Sequence, residues 1–165
     1  MPTPYLRSVQ VSALLFRGNM NHIRPLAICV FRHEDKILVF EGYDPKKDQT
    51  FYRPLGGGIE FGERSEDTVR REIKEELGEE VTELKYLGAL ENIFVFDGIP
   101  SHEIVLAYDG RLVNPGLYEQ AVMSGMEADA GPFKVLWKRL DEFGTGRNPL
   151  YPAGLLEMLT GRVPA

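Results

Sequence analysis

The chain has 165 residues, of which 43% are apolar, 27% charged and 10% aromatic; this excludes collagen-like, coiled-coil and wholly disordered classes and suits one α/β or α+β domain. No apolar stretch approaches the roughly 18 residues of a membrane-spanning helix, and the single cysteine, Cys29, excludes a disulfide framework and a Cys-based zinc site. The net charge of −6, from 19 basic and 25 acidic residues, argues against a generic binder of nucleic-acid backbones.

Along the chain, residues 1–19 read as an N-terminal extension of uncertain role. Val9 to Phe16 is mildly apolar but interrupted by Gln10 and Ser12, with no signal-peptide cleavage pattern after it. An edge strand or ordered arm is expected there, or a segment lying upstream of a working domain that begins at Met20. Residues 26–31 form an apolar run suited to a buried strand. A polar turn, His33-Glu34-Asp35-Lys36, leads to a second strand over 37–40, so the pair reads as a hairpin. A solvated loop at 44–49 precedes a short strand over 51–55, which runs into Gly56-Gly57-Gly58. Residues 65–77 are the best helix candidate. Ser65 is the expected N-cap, Glu66 and Asp67 occupy the dipole-favoured first turn, Gly78 ends it, and Val69, Ile73 and Leu77 form the apolar stripe. Strands are expected over 84–96 and 104–107 around an Asp97-Gly98-Ile99-Pro100 turn, then an irregular stretch over 114–132, a strand over 133–137 and a short helix over 155–159. The pattern suggests a mixed sheet packed by few helices.

The charge is concentrated. Between Glu60 and Glu80 stand nine acids and four bases, a net of −5, while all other residues together carry −1. On a helical wheel Glu75 and Glu76 fall at about −60° and +40° from Glu72, so three carboxylates share an arc of about 100°. Like charges at such spacings destabilise a helix by a few tenths of a kcal/mol per pair, and a divalent cation bound among them reverses the sign of that effect. Hard cations such as Mg²⁺ take carboxylate oxygens and share their remaining positions with water and phosphate. The alternative is a plain charged face, with Arg71 and Glu75 as an i,i+4 pair. The triple glycine reads either as a flexible connection or as a place where the backbone approaches a phosphorylated ligand.

Residues 57–79, GGIEFGERSEDTVRREIKEELGE, resemble the Nudix box, G-x5-E-x7-R-E-U-x-E-E-x-G-U, with U a bulky aliphatic residue. Gly57, Glu63, Arg71, Glu72, Ile73, Glu75, Glu76 and Gly78 fall in register; only Glu79 departs, standing at the last aliphatic position. The resemblance implies a Nudix fold of α/β (α+β) class, a mixed β-sheet sandwiched between α-helices, over residues 20–165. It implies hydrolysis of a nucleoside diphosphate linked to another moiety. By position, Glu72, Glu75 and Glu76 are implied as ligands of Mg²⁺ or Mn²⁺, Glu63 as a supporting acid, Arg71 as the partner that orients a box glutamate, and Gly57 and Gly78 as shape residues. The implied catalytic set is Glu72, Glu76, Glu63 and Arg71.

A proton acceptor outside the box is sought among Glu103, Glu119 and Glu127, with no choice among them. Arg53, Gly57 and Gly58 are the substrate-binding candidates. Phe51, Tyr52, Phe94 and Phe96 read as core or as a base-stacking surface, His102 as a packed residue or a substrate contact, and Cys29 as a small buried apolar group. Substrate signatures are missing: Val95 stands where ADP-ribose hydrolases often have proline, Phe96 and Asp97 where diadenosine polyphosphate hydrolases often have tyrosine. The S-Q-P-W-P-F-P-x-S run of NADH hydrolases and the L-L-T-x-R stretch of coenzyme A hydrolases are also absent. The sequence reading is therefore a cytoplasmic, Mg²⁺-dependent pyrophosphohydrolase of a small nucleotide substrate. It involves no membrane and no polymeric nucleic acid, and a homodimer is among the expected states. A catalytically silent, nucleotide-sensing module of the same fold is the alternative.

Overall fold

A computed structural model of the chain describes residues 22–144 and 146–162; the whole of the expected extension, residues 1–19, and Met20 lie outside them. The apolar run at 26–31 is the centre of strand β1 (Ile23–His33), and its alternate residues face opposite ways. Ala27, Cys29 and Phe31 join one core cluster, while Leu26, Ile28 and Val30 join a second. Burial on both faces explains why the run is continuously apolar.

The other strands are β2 (Lys36–Asp44), β3 (Gln49–Arg53), β4 (Leu55–Gly58), β5 (Val81–Phe96), β6 (Ile99–Leu112), β7 (Val122–Glu127) and β8 (Gly131–Arg139). The helices are α1 (Ser65–Leu77) and α2 (Leu155–Thr160). The sheet runs β5-β6-β1-β2-β8-β7, with β4 added to β1 and β3 added to β2. β1 is parallel to β6 and antiparallel to β4. It pairs with β2 only at the root of the hairpin, through Arg32–Ile37 and His33–Lys36, so the two halves of the sheet diverge beyond that point. Helix α1 sends Val69 and Ile73 into the first cluster, and α2 sends Leu155 into the second. The mixed sheet therefore carries a helix on each face. No helix among the described residues is long and apolar enough to cross a membrane.

Several expectations need correction. The N-cap of α1 is Arg64, in extended conformation and without a side-chain capping bond. The Ser65 hydroxyl instead meets the Tyr108 hydroxyl at 2.6 Å. Leu77 is only partly buried, whereas Gly78 closes the helix at φ 70° with its N–H on the Lys74 carbonyl. The turn after β5 is the two-residue pair Asp97-Gly98, both at positive φ, as a tight hairpin requires. This leaves Ile99 and Pro100 in β6, which is much longer than the expected 104–107. β5 shifts register twice near its start.

The stretch 114–132 is not irregular throughout. It holds a 3₁₀ turn, Pro115–Glu119, and then β7. Gly125 conceals β7 in the sequence, because glycine weakens a strand signal. A Cβ there would lie 2.4 Å from the ring of Phe133, its cross-strand partner. Gly42 is placed against Phe51 in the same way.

Candidate active site

Strand β4 lays the glycine run against the middle and last turns of α1, at Arg71, Glu72 and Glu76. Each of the three glycines has a different task. A Cβ on Gly56 would lie 2.1 Å from the Ala27 carbonyl oxygen of β1. A Cβ on Gly57 would lie 2.3 Å from the Glu72 carboxyl carbon, so only glycine leaves that carboxylate its place. Gly58 has open space around its Cα, and its carbonyl accepts from Arg71 Nη2 at 3.0 Å.

Arg71 is the hub of the box. It grips Glu63 with two parallel bonds, Nε to Oε2 at 2.8 Å and Nη2 to Oε1 at 2.9 Å, the fork geometry of a strong arginine–carboxylate pair. Its Nη1 donates to Glu72 Oε1 at 2.8 Å and reaches Glu75 at 3.4 Å. Thr68 also donates its hydroxyl to Glu63 Oε1. The Arg71 bonds, then that of Thr68, hold the Glu63 carboxyl down at about 2.

Glu72 and Glu76 lie at the opposite extreme. Burial raises the Glu72 carboxyl above its ordinary range, against the opposing pull of Arg71. Glu76 is 4% exposed. Its carboxyl is raised well above the ordinary range by burial first, then by the charges of Glu72 and Glu127. The Gly56 N–H bonds to the Glu76 carboxylate, yet Glu76 Oε2 is buried without a hydrogen-bond partner. A buried, unsatisfied carboxylate oxygen is costly, and a divalent cation relieves that cost. The donors gathered here are all carboxylate oxygens, the chemistry that suits Mg²⁺ or Mn²⁺. Among the described residues no three acidic, histidine or cysteine side chains already converge to clasp an ion. Magnesium fits such an open set, because it keeps several waters and needs only one or two carboxylates. Glu75, more than half exposed, has freedom to swing toward it.

Of the three outside acids, Glu127 alone joins this group. It ends β7, its charge is felt by Glu72 and Glu76, and burial with Asp129 and Glu75 raises its own carboxyl. Sequence reasoning could not single it out because β7 was not visible. Glu103 is fully buried on β6, 3.3 Å from Arg53. Glu119 lines a surface groove with Arg32, Lys85 and Arg111, none of them a box residue. Arg53, one of the substrate-binding candidates, is itself buried. Phe51, Tyr52 and Phe96 belong to the core, and His102 meets Glu91 at 2.7 Å. Glu79, the misfit at the last aliphatic position, accepts from Asn114 Nδ2 at 3.1 Å and ties the helix end to the 3₁₀ turn.

Comparison with known proteins bears on the fold and the family of the chain. Among solved structures, a MutT NUDIX hydrolase from Burkholderia pseudomallei superposes with a TM-score of 0.54 at 22% identity, covering 84% of this chain and 98% of that one. A MutT protein from Bacillus halodurans gives 0.52 at 22% identity, covering 84% and 80%. At these identities the likeness speaks for the fold. Among curated proteins, the NAD-capped RNA hydrolases NudC of Vibrio atlanticus and Vibrio parahaemolyticus are 36% and 31% identical over 67 and 97 residues. Those matches cover 41% and 59% of this chain, but only 24% and 36% of the relatives' own length. The NUDIX domain family model matches residues 20–151, and with the box geometry inside that span the chain belongs to the NUDIX family.

Proposed function

We propose that the protein is a Mg²⁺-dependent pyrophosphohydrolase that cleaves the diphosphate linkage of a nucleoside diphosphate joined to another moiety. The observation that carries this reading is the buried, unpartnered Glu76 Oε2 beside Glu72 on one turn of α1. Glu72 and Glu76, with Glu75 from the solvent side, are the residues to hold the ion. When bound, the ion neutralises phosphate charge and lowers the pKa of a water molecule.

The chain's own residues have distinct parts. Arg71, anchored on Glu63, fixes the direction of the Glu72 carboxylate and offsets part of the local negative charge. Gly57 leaves that carboxylate room, and Gly57 and Gly58 let the diphosphate approach the backbone. Glu127 is proposed to accept the proton of the attacking water, supported by its charge being felt at Glu72 and Glu76 and by its raised carboxyl. Phosphoryl transfer asks mainly for such positioning and charge neutralisation. Arg53 is proposed to support the substrate side of the glycine loop from beneath, and residues 20–165 to be the working unit.

The NudC relatives are named for a substrate with NAD at its cap, and NAD carries a diphosphate between two nucleosides, the linkage class proposed here. The proposed setting is the cytoplasm, with a small-molecule substrate and a homodimer among the expected states. The test is a panel of dinucleotides, nucleotide sugars, nucleoside triphosphates and an NAD-capped oligonucleotide, assayed for cleavage with Mg²⁺ or Mn²⁺. Metal-dependent release from a member of the panel is expected. Tight nucleotide binding with no turnover on any of them would favour the silent sensing module.

A further inference from the structure

A second polar cluster surrounds Arg53, and its acceptors on β6 have no part in the chemistry described so far. On β6, Ser101 and Glu103 are two residues apart and face the same side of the sheet. Both are buried, and both present an oxygen without a hydrogen-bond partner, Ser101 Oγ and Glu103 Oε1. The other Glu103 oxygen is engaged: Arg53 Nη2 stands 3.3 Å away, and Asn92 donates through Nδ2 at 3.4 Å. Asn92 is pinned in turn by the Ala153 N–H at 3.2 Å. Arg24 Nη1 stands 3.7 Å from the open oxygen, beyond hydrogen-bond range. Next along β5, Phe94 pairs with Ser101 across the strands and faces the Tyr151 ring at 6.2 Å between centroids.

This cluster adjoins the reaction centre. Arg24 precedes Pro25, whose carbonyl accepts the Ile59 N–H of the box loop at 3.0 Å. Arg53 is close enough to Glu76 for its charge to be felt there. Two buried, unpartnered acceptors beside an aromatic wall match a ligand group that brings hydrogen-bond donors. A phosphate does not match, because the open atom is a carboxylate oxygen. We propose that Ser101 and Glu103 are specificity-determining acceptors that read two adjacent O–H or N–H donors on the nucleoside half of the substrate. The ligand class rests on the nucleotide reading given above. The donors have two sources, the ribose diol or the edge of the base. Both oxygens are closed to solvent, so a group reaching Glu103 Oε1 displaces its ion pair with Arg24. A site built to bond such donors rejects analogues that lack them far more strongly than an apolar pocket does.

The test is a binding measurement, independent of turnover, by calorimetry on the full chain with Mg²⁺ and nucleoside 5′-diphosphates. One arm compares ribose with 2′,3′-dideoxyribose. The other compares adenine and guanine with unsubstituted purine. The wild type is expected to favour the donor-bearing member of one arm by about tenfold or more. In Ser101→Ala and Glu103→Gln that preference shrinks to within about twofold of equality. Ser101→Ala removes only an unpartnered hydroxyl and decides the matter if Glu103→Gln fails to fold. A wild type indifferent in both arms overturns the proposal, and so does a preference that survives unchanged in Ser101→Ala; either outcome marks these oxygens as acceptors for trapped water. Donor-selective binding in a protein that hydrolyses nothing would sink the hydrolase reading and leave this one standing.

Discussion

Arg71 and Arg53 each anchor a polar cluster within one small domain, the first partly exposed and the second buried. Arg71 is partly exposed and draws Glu63, Glu72 and Glu75 from a single stretch of loop and helix. Arg53 is buried, and its cluster is assembled from four strands, with Glu103 on β6, Asn92 on β5 and Arg24 on β1. The first arrangement can reorganise against water. The second has no water to fall back on, so each missing partner leaves a buried charge. A partly exposed ion-pair network suits a site that must exchange metal and phosphate, and a buried one holds its acceptors in fixed directions.

The largest effect expected concerns the carboxylates at the edge of the first cluster. Glu72→Gln and Glu76→Gln each lower turnover by about 10³-fold, equivalent to several kcal/mol of lost charge stabilisation. Melting of the metal-free protein is expected to be unchanged or slightly higher in Glu76→Gln, because the substitution removes a buried charge with an unsatisfied oxygen. Full turnover in both variants would remove the proposed site.

The contrast between the two arginines is sharpest in stability. Arg53→Met breaks a buried pair and is expected to cost roughly 3–5 kcal/mol by denaturant unfolding. Arg71→Met is expected to cost less, about 1–2 kcal/mol, since Arg71 is only partly buried and Glu75 is exposed, yet to lower turnover by about 10- to 100-fold through misdirection of Glu72. Equal stability losses in the two variants would erase the distinction drawn between the clusters.

That distinction also governs what the sequence discloses. The limits of α1 and the arc of Glu72, Glu75 and Glu76 follow from local spacing, because a helix converts sequence separation directly into direction. The alternation in β1 is legible for the same reason. The strand β7, and with it Glu127, is hidden, because Gly125 is chosen for the ring of Phe133 on the next strand rather than for its own strand propensity. The Ser65 cap fails similarly, its hydroxyl being taken by Tyr108 from β6. The partnership of Arg53 with Glu103 spans fifty residues, and no periodicity within either strand predicts it.

Neighbouring glycines give a smaller and cleaner test within the first cluster. Gly57→Ala places a methyl group on the Glu72 carboxylate, and Gly58→Ala places one in open space. Turnover is expected to fall about tenfold or more in the former, a loss of about 1.4 kcal/mol in transition-state stabilisation, and by only about two- to threefold in the latter, where the methyl group meets no protein atom and hinders only the diphosphate. Equal losses would show that the glycines matter for backbone freedom rather than for the room they leave.

The smallest expected effect is in the pH response, where the carboxylates of the first cluster separate from one another. Glu63 titrates at about 2 instead of its ordinary 4.5. Its clamp on Arg71 therefore contributes stability above the ordinary range and loses it only as pH falls from about 4.5 toward about 2. Glu72 and Glu76 are displaced upward by burial, so they take up protons first as pH falls from neutrality. Protonation of Glu76 relieves a buried charge and makes the metal-free fold more stable, the sign required when the folded group binds protons more tightly than the unfolded one. Metal binding needs the ionised forms. Mg²⁺ affinity is thus expected to weaken on mild acidification while the melting temperature of the metal-free protein holds or rises. Glu76→Gln should flatten the part of this dependence that belongs to Glu76. A melting temperature that falls in step with metal affinity would place the titrating groups in the clamp instead of at the buried edge of the helix.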